Sequence, residues 1–302
     1  MAHLLFLFLD GVGLGTDDPQ ANPFAAARSP FLRNLLGGSL REGVSASNAQ
    51  VVVRGLDATL GQPGLPQSAT GQATLLTGTN CAAIMGRHYG PWPGPTLRKL
   101  LDRSTLFSEV LAGGGDALLV NAYPPGYFAA IENGRARTNV PVHAALAAGL
   151  ALPDLSDYAR GEAVAADLTG EYFVSVDARL PVHRPAESGE LLARLALGRE
   201  FTFFDYWPSD RAGHRAPFDE AVQLVERLDS FIEGVVGALE DVTLLITSDH
   251  GNLEDKGTRG HTRARVPLIA LGPRREEFSE CASLVDVAPA VGRVLGLPTG
   301  GA

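Results

Sequence analysis

Short runs of consecutive apolar residues alternate along this chain with longer stretches in which apolar residues recur every three or four positions. The runs fall at Leu4–Leu9, Ala117–Tyr123, Phe201–Trp207, Asp241–Ile246 and Val266–Leu271, and Val44–Val53 is also extended in character. They are rich in β-branched and aromatic residues and read as buried strands. Helical spacing is predicted over Asn22–Leu36, Thr96–Leu111, Pro217–Leu239 and Leu284–Leu295. In the third of these, Ala221, Val225, Leu228, Ile232, Val235 and Leu239 form one apolar stripe. From Pro124 to Gly198 the pattern weakens, with short helices expected over Val142–Leu150 and Tyr158–Thr169. Strands alternating with helices predict an α/β fold: a mainly parallel central sheet flanked by helices on both faces. One domain is expected over residues 1–302, with its core in 1–121 and 201–302 and a small insert or cap at about 122–200.

Composition narrows the class. With 302 residues, 45% hydrophobic and 20% charged, the chain is long enough for a sizeable core. A net charge of -9 argues against a nucleic-acid partner. The two cysteines, Cys81 and Cys281, form no CxxC motif and no disulfide framework. The N-terminal apolar run stops at Asp10 with no basic region before it. It reads as a strand and not as a signal or membrane segment, so a cytoplasmic protein without membrane partners is expected.

Candidate chemistry gathers where strands end. Asp10, Asp210, Asp249 and His250 each lie at or just after the carboxyl end of a predicted strand. That edge is where open α/β sheets bind ligands. Asp210 and His214 are spaced D-x-x-x-H, and His261 follows Asp249-His250 by eleven residues. Carboxylate and imidazole together suit Zn or Mn more than Ca. Pro66-Gln67-Ser68-Ala69-Thr70-Gly71 reads as a loop turning into a helix N-terminus, where free amides favour an anion. Ser68 is there either a cap or a nucleophile. Gly11-Val12-Gly13-Leu14-Gly15 fits a dinucleotide-binding loop poorly, because Thr16 stands where the third glycine belongs. Three carboxylates, three imidazoles and the Ser68 hydroxyl are enough for two metal sites about 4 Å apart.

These motifs, in this order, resemble the alkaline phosphatase superfamily of metalloenzymes. The resemblance is to the branch of cofactor-independent phosphoglycerate mutase and phosphopentomutase, and covers roughly residues 1–121 and 201–302. It implies that Asp210, His214 and His261 hold one divalent ion, and Asp10, Asp249, His250 and Ser68 the other. It also implies that Ser68 is the nucleophile, by its S-x-x-G spacing to Gly71. Two features depart from the mutases. The insert is too small for their separate phosphoglycerate-clamping domain, and Gln72 stands where their nucleophile motif has histidine. The C/S-x-P-x-R pattern of sulfatases is absent.

The expected activity is therefore dinuclear, metal-dependent hydrolysis or transfer of a small phosphate ester through a phosphoserine. Thr70, Gly71, Arg87, His88 and Asn121 are candidate substrate contacts, with Arg87 and His88 in the Gly/Pro-rich loop Gly86–Pro95. The first alternative is a phosphomutase, which would be favoured by a clamp built from Arg135, Arg137, Arg160, Arg179 and Arg184. The second is a non-catalytic metal-binding protein. No oligomeric state is legible.

Overall fold

A computed structural model describes residues 2–297. Seven strands form one sheet in the order β2-β3-β7-β6-β1-β5-β4. They are β1 (His3–Leu9), β2 (Ala46–Ser47), β3 (Val51–Leu56), β4 (Ala117–Leu119), β5 (Phe201–Tyr206), β6 (Val242–Thr247) and β7 (Val266–Leu271). The central strand β1 is continuously apolar because both of its faces are covered. Leu4, Phe6 and Phe8 enter one core with Phe203 and Leu245. Leu5, Leu7 and Leu9 enter the other with Phe204, Leu244 and Ile246.

The α/β architecture with helices on both faces is as expected, but the sheet is mixed. β1 pairs in parallel with β5 and β6, and β4 with β5. β6–β7, β7–β3 and β3–β2 are antiparallel. The mixture decides where the motifs go. In register, Leu9 lies beside Tyr206 and Phe8 beside Thr247. The residues after β1, β5 and β6 therefore leave the sheet along one edge. Antiparallel β7 begins at that edge, since Leu268 faces Thr247, and so it receives His261 from the preceding loop. β3 is antiparallel to β7, so it too runs out toward that edge, on the way to Ser68.

Several helices differ from the periodicity. The single helix expected over 96–111 is two, Pro95–Leu101 and Leu106–Ala112, because Thr105 and Ser108 form a capping box that starts the second. Asn22–Leu36 is likewise split into Pro23–Ala26 and Pro30–Leu36, each with proline in its first turn. The helix expected over Tyr158–Thr169 is instead Leu155–Ala159. Asp154 and Asp157 cap it early, Gly161 ends it at positive φ, and Val164 then pairs with Asn121 as an isolated bridge.

A helix at Pro185–Leu197 was not apparent from periodicity, because Pro185 and Gly189 interrupt the pattern. It packs along Phe218–Gly237, burying Leu192 and Ala196 in the second core. The two helices meet at paired glycines. A Cβ on Gly189 would lie 2.1 Å from the Phe231 carbonyl oxygen, and one on Gly234 2.1 Å from that of Ala186. The Pro185–Leu197 helix thus contributes to the layer covering this face. Ala122, Tyr158, Ala163, Ala165 and Phe173 make a small separate cluster in the intervening segment. Among the described residues no helix is long and apolar enough to cross a membrane.

Candidate metal centre

The shared edge brings all seven candidate ligands together. Ser68 opens the Ser68–Thr77 helix as its first residue, with Gln67 as the cap, so its hydroxyl is not used for capping. The Ser68 hydroxyl lies 3.0 Å from His250 Nε2. His250 Nε2 is 3.5 Å from Asp10 Oδ1 and 3.6 Å from Asp249 Oδ2. Beyond it, Asp210 Oδ1 stands 3.5 Å from His214 Nε2 and 3.8 Å from His261 Nε2. The two Nε2 atoms of His214 and His261 are 3.2 Å apart. Two ligand groups result: Asp210, His214 and His261 in one, Asp10, Asp210 and His250 in the other, with donor atoms within 4.8 Å of one another in each. They share Asp210, and the His250 and His261 rings stack at 3.7 Å between centroids.

The electrostatics call for a cation. Burial, then the charges of Asp249, Asp210 and Asp205, hold the Asp10 carboxyl well above its usual range. Burial also pushes Asp249 up to about 7, with the charge of Asp210 adding to it and the Gly11 amide opposing it. Among the described residues no lysine or arginine pairs with Asp10, Asp210 or Asp249; their only ion-pair partners are histidines. Burial drives His250 and His261 down to about 4, so both are neutral and carry a lone pair. The Nδ1 of His261 faces the Pro66 carbonyl at 2.7 Å, and that of His250 faces Gly251 at 3.3 Å. With the proton on Nδ1, each Nε2 is left as a ligand atom. Asp10 Oδ1 is buried with no hydrogen-bond donor, opposite such a nitrogen. A buried carboxyl oxygen without a donor, opposite an imidazole nitrogen that carries a lone pair, is a pair of ligand atoms that fits a bound metal ion.

Other residues hold these ligands, and periodicity alone did not single them out. Gln72 Nε2 donates to Asp249 Oδ2 at 3.1 Å and Asp10 Oδ2 at 3.4 Å. The residue that departs from the mutase pattern therefore orients two carboxylates. The Gly11 amide donates to the other Asp249 oxygen at 3.2 Å. Asn252 Nδ2 donates to Asp210 Oδ1 at 2.6 Å. Glu254 accepts the amides of Gly13 and Asn252 and the Thr262 hydroxyl, tying the loops after β1 and β6 to the segment entering β7. Gly71 lets the Ser68–Thr77 helix sit against the end of β6, since a Cβ there would lie 2.8 Å from Asp249 Cβ. Asp205 is a further buried carboxylate on the same face. Asn139 donates to its Oδ2 at 2.7 Å, while its Oδ1 has no partner.

Three of the expected substrate contacts are committed elsewhere. The Thr70 hydroxyl bonds to the carbonyls of Gln67 and Tyr89 and accepts the Tyr89 amide. The Thr70 amide donates to Tyr89 and the Gly71 amide to Gln67. The amides left without an acceptor among the described residues are those of Ser68 and Ala69, the first two of the helix. Asn121 is 1% exposed and exchanges two hydrogen bonds with the Asp205 backbone. It clamps the segment after β4 to β5. Arg87 and His88 do line a cavity of about 410 Å³ that also reaches Gln67, beside Ser68. The Arg87 guanidinium lies 5.5 Å above the Tyr89 ring, and burial lowers the basicity of His88.

A mixed sheet delivers a hydroxyl, carboxylates and imidazoles to one edge, a donor set that suits a metalloenzyme. The chain belongs to the Metalloenzyme superfamily, whose family model matches residues 2–299. Among curated proteins it is similar to the 2,3-bisphosphoglycerate-independent phosphoglycerate mutase of Aliivibrio fischeri, 40% identical over 115 residues, covering 35% of this chain and 22% of that protein. It is also similar to that of Pseudomonas fluorescens, 42% identical over 103 residues, covering 31% and 20%. The aligned part thus spans about a fifth of these relatives. Among solved structures, a Pyrococcus horikoshii protein superposes with a TM-score of 0.58 at 14% identity, covering 100% of this chain and 99% of that one. The alkaline phosphatase of the Antarctic bacterium TAB5 gives 0.51 at 14%, covering 98% and 99%. The Leishmania mexicana phosphoglycerate mutase gives 0.52 at 13%, covering 99% and 96%. At these identities the solved structures speak to the fold.

Proposed function

We propose that this chain transfers the phosphoryl group of a small phosphate ester to Ser68 and then to water. The observation that carries the reading is the Ser68 hydroxyl 3.0 Å from His250 Nε2, at one end of the two adjoining ligand groups. Asp210, His214 and His261 would hold one ion, and Asp10, Asp249, His250 and Ser68 the other. Ions of Zn or Mn type suit this mixed nitrogen and oxygen set. When bound they would neutralise the carboxylates, lower the pKa of the Ser68 hydroxyl and offset charge on the leaving oxygen. Ser68 Oγ forms its bond to phosphorus as the ester P–O bond breaks on the opposite side, and the proton that Ser68 gives up to solvent is matched by one the departing alkoxide takes up. The free amides of Ser68 and Ala69, with the helix dipole behind them, hydrogen-bond the equatorial phosphoryl oxygens. Water then attacks phosphorus and loses a proton, the P–O bond to Ser68 breaks, Ser68 Oγ regains a proton, and inorganic phosphate leaves. Gln72, the Gly11 amide and Asn252 keep the carboxylates in place through both steps.

The named relatives favour a second reading, a mutase that returns the phosphoryl group to an acceptor hydroxyl. The proposed arginine clamp supports it less. Arg160 pairs with Asp157 and Glu162, Arg179 with Asp177, and Arg184 with Glu187, all toward the exterior. An aryl phosphate assay with added Mn or Zn, with acid trapping of the phosphoenzyme and peptide mapping, tests the proposal. Metal-dependent release of phosphate with label on Ser68 is expected. Label on Thr70, or full activity in Ser68→Ala, refutes it.

A further inference from the structure

A second cavity, of about 650 Å³, opens beside His214. Arg215, Lys256 and Arg259 line it, and no carboxylate does. Among the described residues none of these three cations forms an ion pair. Two acids near in sequence are turned to their own loops. Asp255 accepts the Gly257 amide and the Thr258 hydroxyl, and Asp18 accepts the Gln20 amide. Lys256 Nζ is fixed at the wall by the carbonyls of Ala212 and Gly213, at 2.8 and 2.7 Å. That leaves one of its three hydrogens for a ligand. Phe218, first residue of the 20-residue Phe218–Gly237 helix, also lines the cavity, whereas the first-turn acids of that helix, Asp219 and Glu220, are exposed and do not line it. In a chain of net charge -9, three unpaired cations around one cavity are a local reversal that suits an anion.

The position relative to Ser68 says which part of a substrate reaches it. Ser68 touches His250, and Asp210 is shared between the group containing His250 and the group containing His214 and His261. Ser68 thus adjoins one ligand group and His214 belongs to the other. In-line displacement places the leaving oxygen opposite the attacking one. The departing alcohol is therefore directed toward His214 and the cavity behind it. We infer that this cavity receives the alcohol part of the substrate, and that Arg215, Lys256 and Arg259 bind a second oxyanion carried on it, a carboxylate or a phosphate. The inference rests on the phosphoryl-transfer reading, and adds that the substrate is doubly anionic.

Three probes test it by titration calorimetry on the Mn-loaded full chain: benzylphosphonate, its 4-carboxy derivative and 1,4-xylylenediphosphonate. Tighter binding of one of the two doubly anionic probes by about tenfold or more over benzylphosphonate is expected, the scale of one good charge contact. Whichever probe gains identifies the oxyanion. In the Arg215→Ala/Arg259→Ala double variant the ratio should fall to near one. The ratio is taken within each protein, so a general loss of affinity does not mimic the result. Should the double variant not fold, Arg259→Ala alone carries the test, because Arg259 is exposed. Equal binding of all three probes by the unmodified protein, or a preference that survives the substitutions, overturns the inference while leaving phosphoryl transfer standing. Absence of both benzylphosphonate binding and aryl phosphate turnover overturns the parent reading, and this inference with it.

Discussion

Replacing Asp205 by asparagine isolates the cost of holding a carboxylate inside the sheet next to the metal centre. Asp205 is 1% exposed, its Oδ1 has no donor, and burial pushes its pKa from 3.8 up to about 7, with the Asn139 hydrogen bond opposing and the charge of Asp249 reinforcing. Between about pH 4 and 7 the folded chain then holds one proton more than the unfolded chain at this site. Stability is fully present below the ordinary carboxylate pKa, falls as pH rises through this window, and levels off above about 7. A shift of roughly three units at about 1.4 kcal/mol each makes the whole effect about 4 kcal/mol, of which roughly 3 kcal/mol falls between pH 5 and 8. Asparagine has the same shape and can still accept from Asn139, but does not ionise. Urea unfolding of metal-stripped protein, followed by circular dichroism at pH 5 and pH 8, reads the difference. The stability of Asp205→Asn relative to the unmodified chain should move in the variant's favour by about 3 kcal/mol from the lower pH to the higher. A difference that is the same at both pH values would show that Asp205 does not carry this burden.

Metal binding should release protons at slightly acid pH. Asp249, raised to about 7, holds a proton there and burial raises Asp10 in the same direction, whereas His250 and His261, at about 4, do not compete. Affinity for Mn or Zn should therefore fall as pH drops below about 7, with the proton release read by calorimetry in buffers of different ionisation enthalpy. Affinity that stays flat until about pH 4 would contradict the raised carboxylates. His214→Ala should weaken the site built with Asp210 and His261 far more than the site beside Ser68, seen as one tight and one weak ion in a metal titration. Equal weakening of both ions would mean that the shared Asp210 couples the two sites into one. Ser68→Ala should abolish turnover with the fold intact, while Thr70→Ala should cost about 1 kcal/mol or somewhat more of stability by releasing the Tyr89 loop, measured by thermal melts. Turnover lost equally in both variants would leave the nucleophile unassigned. Gly71→Ala should destabilise the folded chain and displace Asp249, because the added Cβ would lie 2.8 Å from Asp249 Cβ. A variant as stable and as active as its parent would show that the helix can shift at no cost.

The strands and their chemistry were legible in the residues themselves. Leu4–Leu9, Phe201–Trp207, Asp241–Ile246 and Val266–Leu271 are continuous apolar runs because each strand is buried on both faces, and burial writes itself directly into composition. Asp10, Asp210, Asp249, His250 and His261 stood out for the same reason, as ionisable residues at the ends of apolar runs. Helix limits were less legible where side-chain capping at Thr105 and Asp154, or close backbone contact at Gly189 and Gly234, overrode the spacing of apolar residues. Strand direction was not legible at all, since an apolar run looks the same in a parallel or an antiparallel pair. Only the tertiary structure made β7 antiparallel, and so brought His261 to the edge where Asp249 and His250 emerge. It also decided the fate of individual polar groups. Thr70 and Asn121 were absorbed into local hydrogen bonds, whereas Gln72, Asn252 and Asp205 were turned toward the ligands or left beside them. A hydroxyl or an amide has the same sequence signature in either role, and only the donors and acceptors within about 3 Å of it settle which role it takes.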